Sequence, residues 1–292
     1  MEKNQMLDLM AGPPSLEDGG CAASEPFVSC VPEEYRVNWS EDLEAMHEES
    51  SHTHFIEVWT RLAVIQRLAV SSPAPTLLDV GCSTGYLLAD LRERFPRASL
   101  IGVDLVASGL RKAHACTPDA TLLQADACTL PLADASVDGA TSVNLLEHVP
   151  DDRRALAEIF RVLRPTGRAI IVVPVGPHNY DYYDRLLGHE RRYARGELAR
   201  KAADAGFSVV QDIHLGAPLY PAFWFVKQTN RRRHQQLVGR ELERRVRNDM
   251  ESTSDSSLGR LACRLEELLL WAGVALPFGI RGLTVLERPS DA

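Results

Sequence analysis

The chain has 292 residues, 45% hydrophobic and 25% charged, a globular balance that excludes wholesale disorder and collagen-type repeats. Its 32 Lys and Arg against 40 Asp and Glu give a net charge of −8, which argues against a protein built to coat a phosphate backbone. Six scattered cysteines with no C-x-x-C pair read as reduced thiols, not a disulfide framework or a zinc site.

Residues 1–34 mix acid, Gly and Pro without a hydrophobic period and are expected to form a flexible tail. They carry neither the basic start nor the apolar stretch of a secretory leader, so a cytoplasmic location is expected. The longest nearly apolar run, Leu268 to Phe278, has 11 residues, against the ~20 that cross a bilayer as a helix. From His54 to Val70 apolar side chains recur at helical spacing, predicting an amphipathic helix within a helical lid over 35–72. The Ser71-Ser72-Pro73-Ala74-Pro75 break ends it.

Beyond the break, short apolar runs alternate with helical segments. Strands are expected at Thr76–Val80, Ser99–Asp104, Thr121–Ala125, Val137–Asn144, Ala169–Val173 and Ser208–His214. Helices fall between them at Tyr86–Phe95, Ser108–Cys116, Asp151–Leu163 and Glu197–Ala205. Such alternation means βαβ units and a parallel sheet covered on both faces, a doubly wound α/β fold over 73–215. The composition then changes. An aromatic patch (Tyr220, Phe223, Trp224, Phe225) leads into a charged helix from Lys227 to about Met250, and a second, apolar helix spans Leu258 to Leu276. They read as a helical hairpin inserted over 216–280 before a last strand, Gly282–Leu286, in the closing segment 281–292.

The most informative segment is Leu77-Leu78-Asp79-Val80-Gly81-Cys82-Ser83-Thr84-Gly85-Tyr86. A buried strand runs through a turn of small residues into a helix, whose first amides are unpaired and suit a carboxylate or phosphate. The next strand ends on Asp104-Leu105, where a carboxylate can accept both hydroxyls of a ribose. Together these indicate a nucleoside cofactor. Ser83 and Thr84 stand where glycines would admit a pyrophosphate, which disfavours a dinucleotide.

Asp79-Val80-Gly81-Cys82-Ser83-Thr84-Gly85 resembles the D-x-G-x-G-x-G motif of class I S-adenosylmethionine-dependent methyltransferases. Further pieces follow in that family's order: Gln124-Ala125-Asp126-Ala127, Ser136-Val137-Asp138, Asn144-Leu145-Leu146-Glu147-His148-Val149, and Leu163-Arg164-Pro165-Thr166-Gly167-Arg168, which is similar to an L-(R/K)-P-G-G turn. Ser83 and Thr166 replace glycines of the family pattern. The resemblance spans roughly 76–215. It implies a Rossmann-like seven-stranded sheet with the last strand antiparallel, S-adenosylmethionine as cofactor, and S-adenosylhomocysteine as a bound product. Carried over, Gly81, Ser83 and Gly85 wrap the methionyl part and Asp79 tethers its ammonium. Asp104 and Leu105 meet the ribose, Asp126 and the Ala127 amide read adenine, and Asn144 lies near the sulfonium. The implied reaction is methyl transfer to an oxygen or nitrogen of a small molecule: a secondary metabolite, a sugar or a lipid-linked intermediate.

Imidazole is the side chain that exchanges protons in the neutral range, so His148 and then His189 are the expected general bases. The polar and aromatic segment from Pro174 to Tyr193 belongs at the sheet's ligand-binding end, and Tyr180, Tyr183, His189 and Tyr193 are the expected acceptor contacts. Some ubiquinone-pathway O-methyltransferases bind a metal through E-x-x-E-H at the position of Asn144 to His148. This chain lacks one of those carboxylates, so no metal is expected. Between Lys227 and Arg247 lie eight basic residues against Glu241 and Glu243. The run reads as a solvated face, with a peripheral membrane contact or a homodimer through 220–278 as alternatives; nucleic acid is not expected. Two other activities compete. One is a cofactor-binding scaffold without methyl transfer. The other is an α/β-hydrolase using Ser83, since Gly81 to Gly85 spells G-x-S-x-G, although too few strands precede the turn and Asp104 is left unexplained.

Overall fold

The computed structural model describes residues 25–32, 54–233, 241, 242, 244 and 256–290. In chain order its elements are β1 (Val28–Ser29), α1 (Phe55–Arg67), β2 (Thr76–Val80), α2 (Tyr86–Arg94), β3 (Ser99–Asp104), α3 (Ala107–Cys116), β4 (Thr121–Gln124), β5 (Val137–Val143), α4 (Asp152–Val162), β6 (Leu163–Pro174), α5 (Tyr182–Leu186), α6 (Glu197–Asp204), β7 (Ser208–Leu215), α7 (Tyr220–Arg233), α8 (Ser257–Trp271) and β8 (Arg281–Glu287). The sheet order is β1-β4-β3-β2-β5-β6-β8-β7. Neighbours are parallel except where β8 runs antiparallel to both β6 and β7.

The chain winds from β2 through β3 to β4, then returns to place β5 on the other side of β2. The order reverses between β2 and β5, and the C-terminal strand ends at such a switch point form the ligand crevice of an open α/β sheet. Both faces are covered. Leu78, Val80, Ile101 and Val103 pack with Leu156 and Ile159 of α4 and Leu198 of α6. Leu77, Leu100 and Ile170 pack on the other side with Trp59 and Val64 of α1, Leu88 of α2, Leu110 of α3 and Cys263 of α8. Burying each such aliphatic side chain contributes ~1.5–3 kcal/mol, which makes the strand ends a rigid platform. Among the described residues no helix is long and apolar enough to cross a membrane.

Three expectations change. The sheet has eight strands rather than seven, because Val28 and Ser29, inside the expected tail, pair with Leu123 and Gln124; Glu25 beside them bonds Arg111 through both carboxylate oxygens. Two residues are too few to show a hydrophobic period. β6 begins at Leu163 and takes in the Leu163–Arg168 turn: Thr166 adopts φ +65°, while a Cβ on Gly167 would meet the Asp138 carbonyl oxygen at 2.9 Å. The second position therefore needs glycine and the first does not. Finally, the aromatic patch does not precede the hairpin's first helix but begins it, at Tyr220. Most of 234–255, including the expected helix end near Met250, lies outside the described residues, as do His47 and His52 of the expected lid.

Candidate active site

The β2–α2 bend is built by backbone. Register places Val80 beside Val103, and the Gly81 and Cys82 amides both donate to the Val103 carbonyl, at 2.8 and 3.0 Å. Gly81 (φ +80°) and Ser83 (φ +44°) are left-handed. A Cβ on Gly81 would lie 3.0 Å from the Leu145 side chain, so this position needs glycine for conformation and space alike. The Ser83 amide donates to Asp104 Oδ2 at 2.8 Å and the Val106 amide to Oδ1 at 2.9 Å. Bend and carboxylate are thus one hydrogen-bonded unit. Asn144, with φ +52°, leaves β5 on the other side of the crevice, its amide donating to the Val172 carbonyl at 2.9 Å.

These groups open on a cavity of about 820 Å³, lined at this end by Gly81, Ser83, Asp104, Leu105, Asp126, Ala127 and Asn144. Two expected cofactor contacts lie elsewhere. Asp79 is buried beneath the bend, accepting from the Thr141 hydroxyl at 2.8 Å. Burial, with the Asp104 charge nearby, pushes its carboxyl up to about 7. Gly85 caps α2 with φ +81°, and a Cβ there would meet Ala113 at 2.7 Å. It lets α2 and α3 approach rather than facing the cavity.

The other end of the cavity is lined by Glu147, His148, Tyr183, His189, Arg192, Phe223, Lys227 and Arg281. Here side chains, not backbone, make the wall. Asp184, with no exposed surface, accepts from His189 Nδ1 at 2.8 Å, Arg192 Nε at 2.7 Å and Lys227 Nζ at 3.3 Å. Burial pushes its carboxyl up, but the His189 hydrogen bond and the Arg192 and Lys227 charges outweigh this and hold it well below the usual carboxylate range. An ionised carboxylate only accepts, so Nδ1 of His189 carries the proton and Nε2 is the basic atom. The His148 and His189 rings meet edge to face, 4.7 Å between centroids. Lys227 also bonds Asp181 at 2.7 Å, and Arg281 pairs with Glu57 and with the Thr60 hydroxyl at 2.8 Å. Glu147 is 1% exposed and its Oε2 has no hydrogen-bond partner among the described residues. Burial pushes its carboxyl up to about 7, against the pull of His189 and Arg281.

One donor atom from each of Glu147, His148 and His189 lies within 4.8 Å of the others. The trio could hold a metal ion, an arrangement hidden in the sequence because its third member comes from the loop after α5. Of the expected acceptor contacts, Tyr183 and His189 line the cavity. Tyr180 does not; its hydroxyl donates to the His189 carbonyl at 2.7 Å. Tyr193 is a core residue, 1% exposed, its hydroxyl donating to Asp152 at 2.7 Å. It ends the polar and aromatic segment expected at the ligand-binding end, but there it bridges Val175 and its side chain is buried. Asp184, Lys227 and Arg281 are not among the expected site residues. Lys227 heads a basic run that reads as a solvated face, yet it is buried.

Residues 78–171 match the family model of a methyltransferase domain. Malonyl-[acyl-carrier protein] O-methyltransferase of Dechloromonas aromatica is 33% identical over 230 residues, 73% of this chain and 82% of that protein. The chain belongs to the S-adenosylmethionine-dependent methyltransferases. Demethylmenaquinone methyltransferase of Thermus thermophilus is 36% identical over 118 residues, 39% of this chain and 53% of that protein. With several curated relatives, the match spans about half of the relative's length. Phosphoethanolamine N-methyltransferase 2 of Haemonchus contortus, solved with S-adenosylmethionine, superposes with a TM-score of 0.59 at 16% identity, covering 86% of this chain and 57% of that one. The family's cofactor fits what this methyltransferase presents: a left-handed bend, close-packed on Leu145 at Gly81, tied to a carboxylate at the next strand end. The cavity stands near the upper end of the ~300–1,000 Å³ usual for ligand sites, which leaves space for a second molecule.

Proposed function

We propose that this methyltransferase methylates an oxygen of a small-molecule acceptor seated against His148, His189, Tyr183 and Phe223. Bound S-adenosylmethionine supplies an electrophilic methyl group. The chain's own residues then have to bind, align, exclude water and move one proton. Gly81, Ser83 and the Asn144 corner hold the methionyl end, Asp104 with Leu105 the ribose, and Asp126 with the Ala127 amide the adenine. Segment 73–215 thus carries the cofactor, and α1, α5 and the hairpin over 216–280 close the acceptor end.

The observation that carries the reading is the Asp184–His189 pair. A nitrogen acceptor with a free lone pair needs no base in the transfer step, whereas a hydroxyl must lose its proton. His189 lines the cavity with Nδ1 held by a buried carboxylate, the orientation by which a carboxylate fixes an imidazole tautomer in general-base sites. Nε2 takes the acceptor's proton, and Asp184 stabilises the imidazolium that forms. His148, edge-on to that ring, orients the acceptor hydroxyl. The named relatives act on acceptors as unlike as a demethylmenaquinone and a malonyl-[acyl-carrier protein], so the acceptor is inferred from this wall and not from them.

The test is a labelled-methyl transfer assay over pooled hydroxylated metabolites, with the hit purified. His189→Gln should lower kcat by ~10²–10⁴-fold and leave S-adenosylhomocysteine affinity unchanged. Unaltered turnover in that variant, or an amine as the methylated product, overturns the oxygen assignment. Cofactor binding with no transfer to any pool would favour a scaffold.

A further inference from the structure

Ten of the thirteen large apolar side chains exposed among the described residues lie between Trp224 and Phe278. On α8 they form a stripe. Leu258, Leu261, Leu265 and Leu268 recur at helical spacing, each more than half exposed, and Trp271 at the helix end is 87% exposed. The opposite face of the same helix packs inward through Gly259, Cys263 and Glu266, Glu266 accepting from the Gly216 and Ala217 amides. α8 thus packs on the protein through one face and turns a leucine stripe outward on the other, the reverse of a surface helix's usual polar outer face. Phe225, 67% exposed, continues the patch on α7.

We infer that this face is a docking surface for an anionic lipid bilayer. Three observations select that occupant. First, Arg260 and Arg264 stand exposed beside the leucine stripe, the interleaving by which an interfacial helix sinks leucines among acyl chains while arginines reach headgroup phosphates. Second, residues 216–278 hold ten basic side chains against seven acidic ones, while the whole chain carries −8. An anionic surface attracts the hairpin and repels the remainder, which orients the molecule with this face down. A two-fold dimer through the same face would instead bring the exposed Arg260 and Arg264 toward their own copies. Third, the patch is continuous with the cavity: Phe223 and Val226 of α7 and Gly259 of α8 line its wall, so an amphiphile lying in the bilayer meets the cavity mouth without crossing water. Among the described residues no element spans the membrane; α8 lies in the interface plane.

The proposal is tested on the full chain by flotation with vesicles of phosphatidylcholine alone and of phosphatidylcholine with one third phosphatidylglycerol, at low and high salt. Binding to the mixed vesicles, lost on raising salt and at least tenfold weaker on pure phosphatidylcholine, is expected, with a blue shift of tryptophan emission. Leu261→Glu combined with Leu265→Glu should lower partitioning at least tenfold. Trp271→Ala, a milder change, should lower it several-fold and remove part of the blue shift. Both variants should keep the parent's affinity for S-adenosylhomocysteine, which separates this outcome from misfolding and from failure of the methyl-transfer reading. No binding to either vesicle, equal binding to both, or a dimer in sedimentation that Leu261→Glu dissolves overturns it.

Discussion

The two ends of the cavity are made of different material. At the cofactor end, main-chain amides from strands lying side by side fix a bend and one carboxylate. At the acceptor end, ionised side chains are taken out of water and held by one another across long stretches of chain: Lys227 to Asp181 over 46 residues, Arg281 to Glu57 over 224. Backbone geometry is cheap to specify and tolerant of side-chain change. A buried charge cluster holds only while every partner is present.

That contrast predicts where substitutions act. Removing the hub of the acceptor end should have the largest effect. Asp184→Ala leaves His189, Arg192 and Lys227 facing each other without their shared counter-ion and should cost ~3–5 kcal/mol of stability, read by urea denaturation; a loss below ~1 kcal/mol would mean the cluster relaxes into solvent. A pH effect comes next. Asp79 titrates at about 7 in the folded protein, well above a free carboxylate. The folded state therefore keeps a proton that the unfolded chain has released, and stability falls as pH rises from ~4 through 7, by on the order of 2–4 kcal/mol. Asp79→Asn should flatten that slope between pH 5 and 8, with Glu147 supplying the residual; parallel slopes for variant and parent would refute the burial argument. Asp104→Ala should cost ~1–3 kcal/mol of stability, because the Ser83 and Val106 amides lose their acceptor, and should weaken S-adenosylhomocysteine binding by ~1–3 kcal/mol in calorimetry, since its carboxylate lines the cavity. Smallest, Tyr193→Phe removes one buried hydrogen bond to Asp152 and should cost about 1 kcal/mol of stability with no change in acceptor KM. A raised KM would return Tyr193 to the acceptor wall.

The same contrast explains what could be read from the chain alone. The ends of β2 and β3, adjacent in the sheet, are separated by one helix in sequence, so Gly81 and Asp104 announce themselves by spacing; Asn144 follows β5, two strands later, and is legible only through the Asn144–Val149 resemblance. Gly85 misleads because a left-handed glycine for ligand approach and one for helix–helix approach are written identically; only Ala113, beyond the next strand, distinguishes them. Asp184 gives no signal, being one acid in a polar segment whose three partners come from two other elements. Lys227 is worse hidden. A lysine heading a basic run reads as solvated, and nothing local reports that Asp181 and Asp184 wait for it. His189 was visible by type, and its role depends on a carboxylate five positions earlier.

The position of β8 sets an order of assembly. Because it lies between β6 and β7 and runs opposite to both, β7 has no partner in the sheet until Arg281–Glu287 arrives. During synthesis β6 must wait as an open edge, with its amides unpaired and prone to intermolecular pairing, while about a hundred residues of later chain emerge from the ribosome. The strand that ends this wait also starts with Arg281, the partner of Glu57 on α1. Zipping the sheet and latching the first helix over the crevice are thus a single late event, and a ribosome stalled within the hairpin would present a nascent chain with neither.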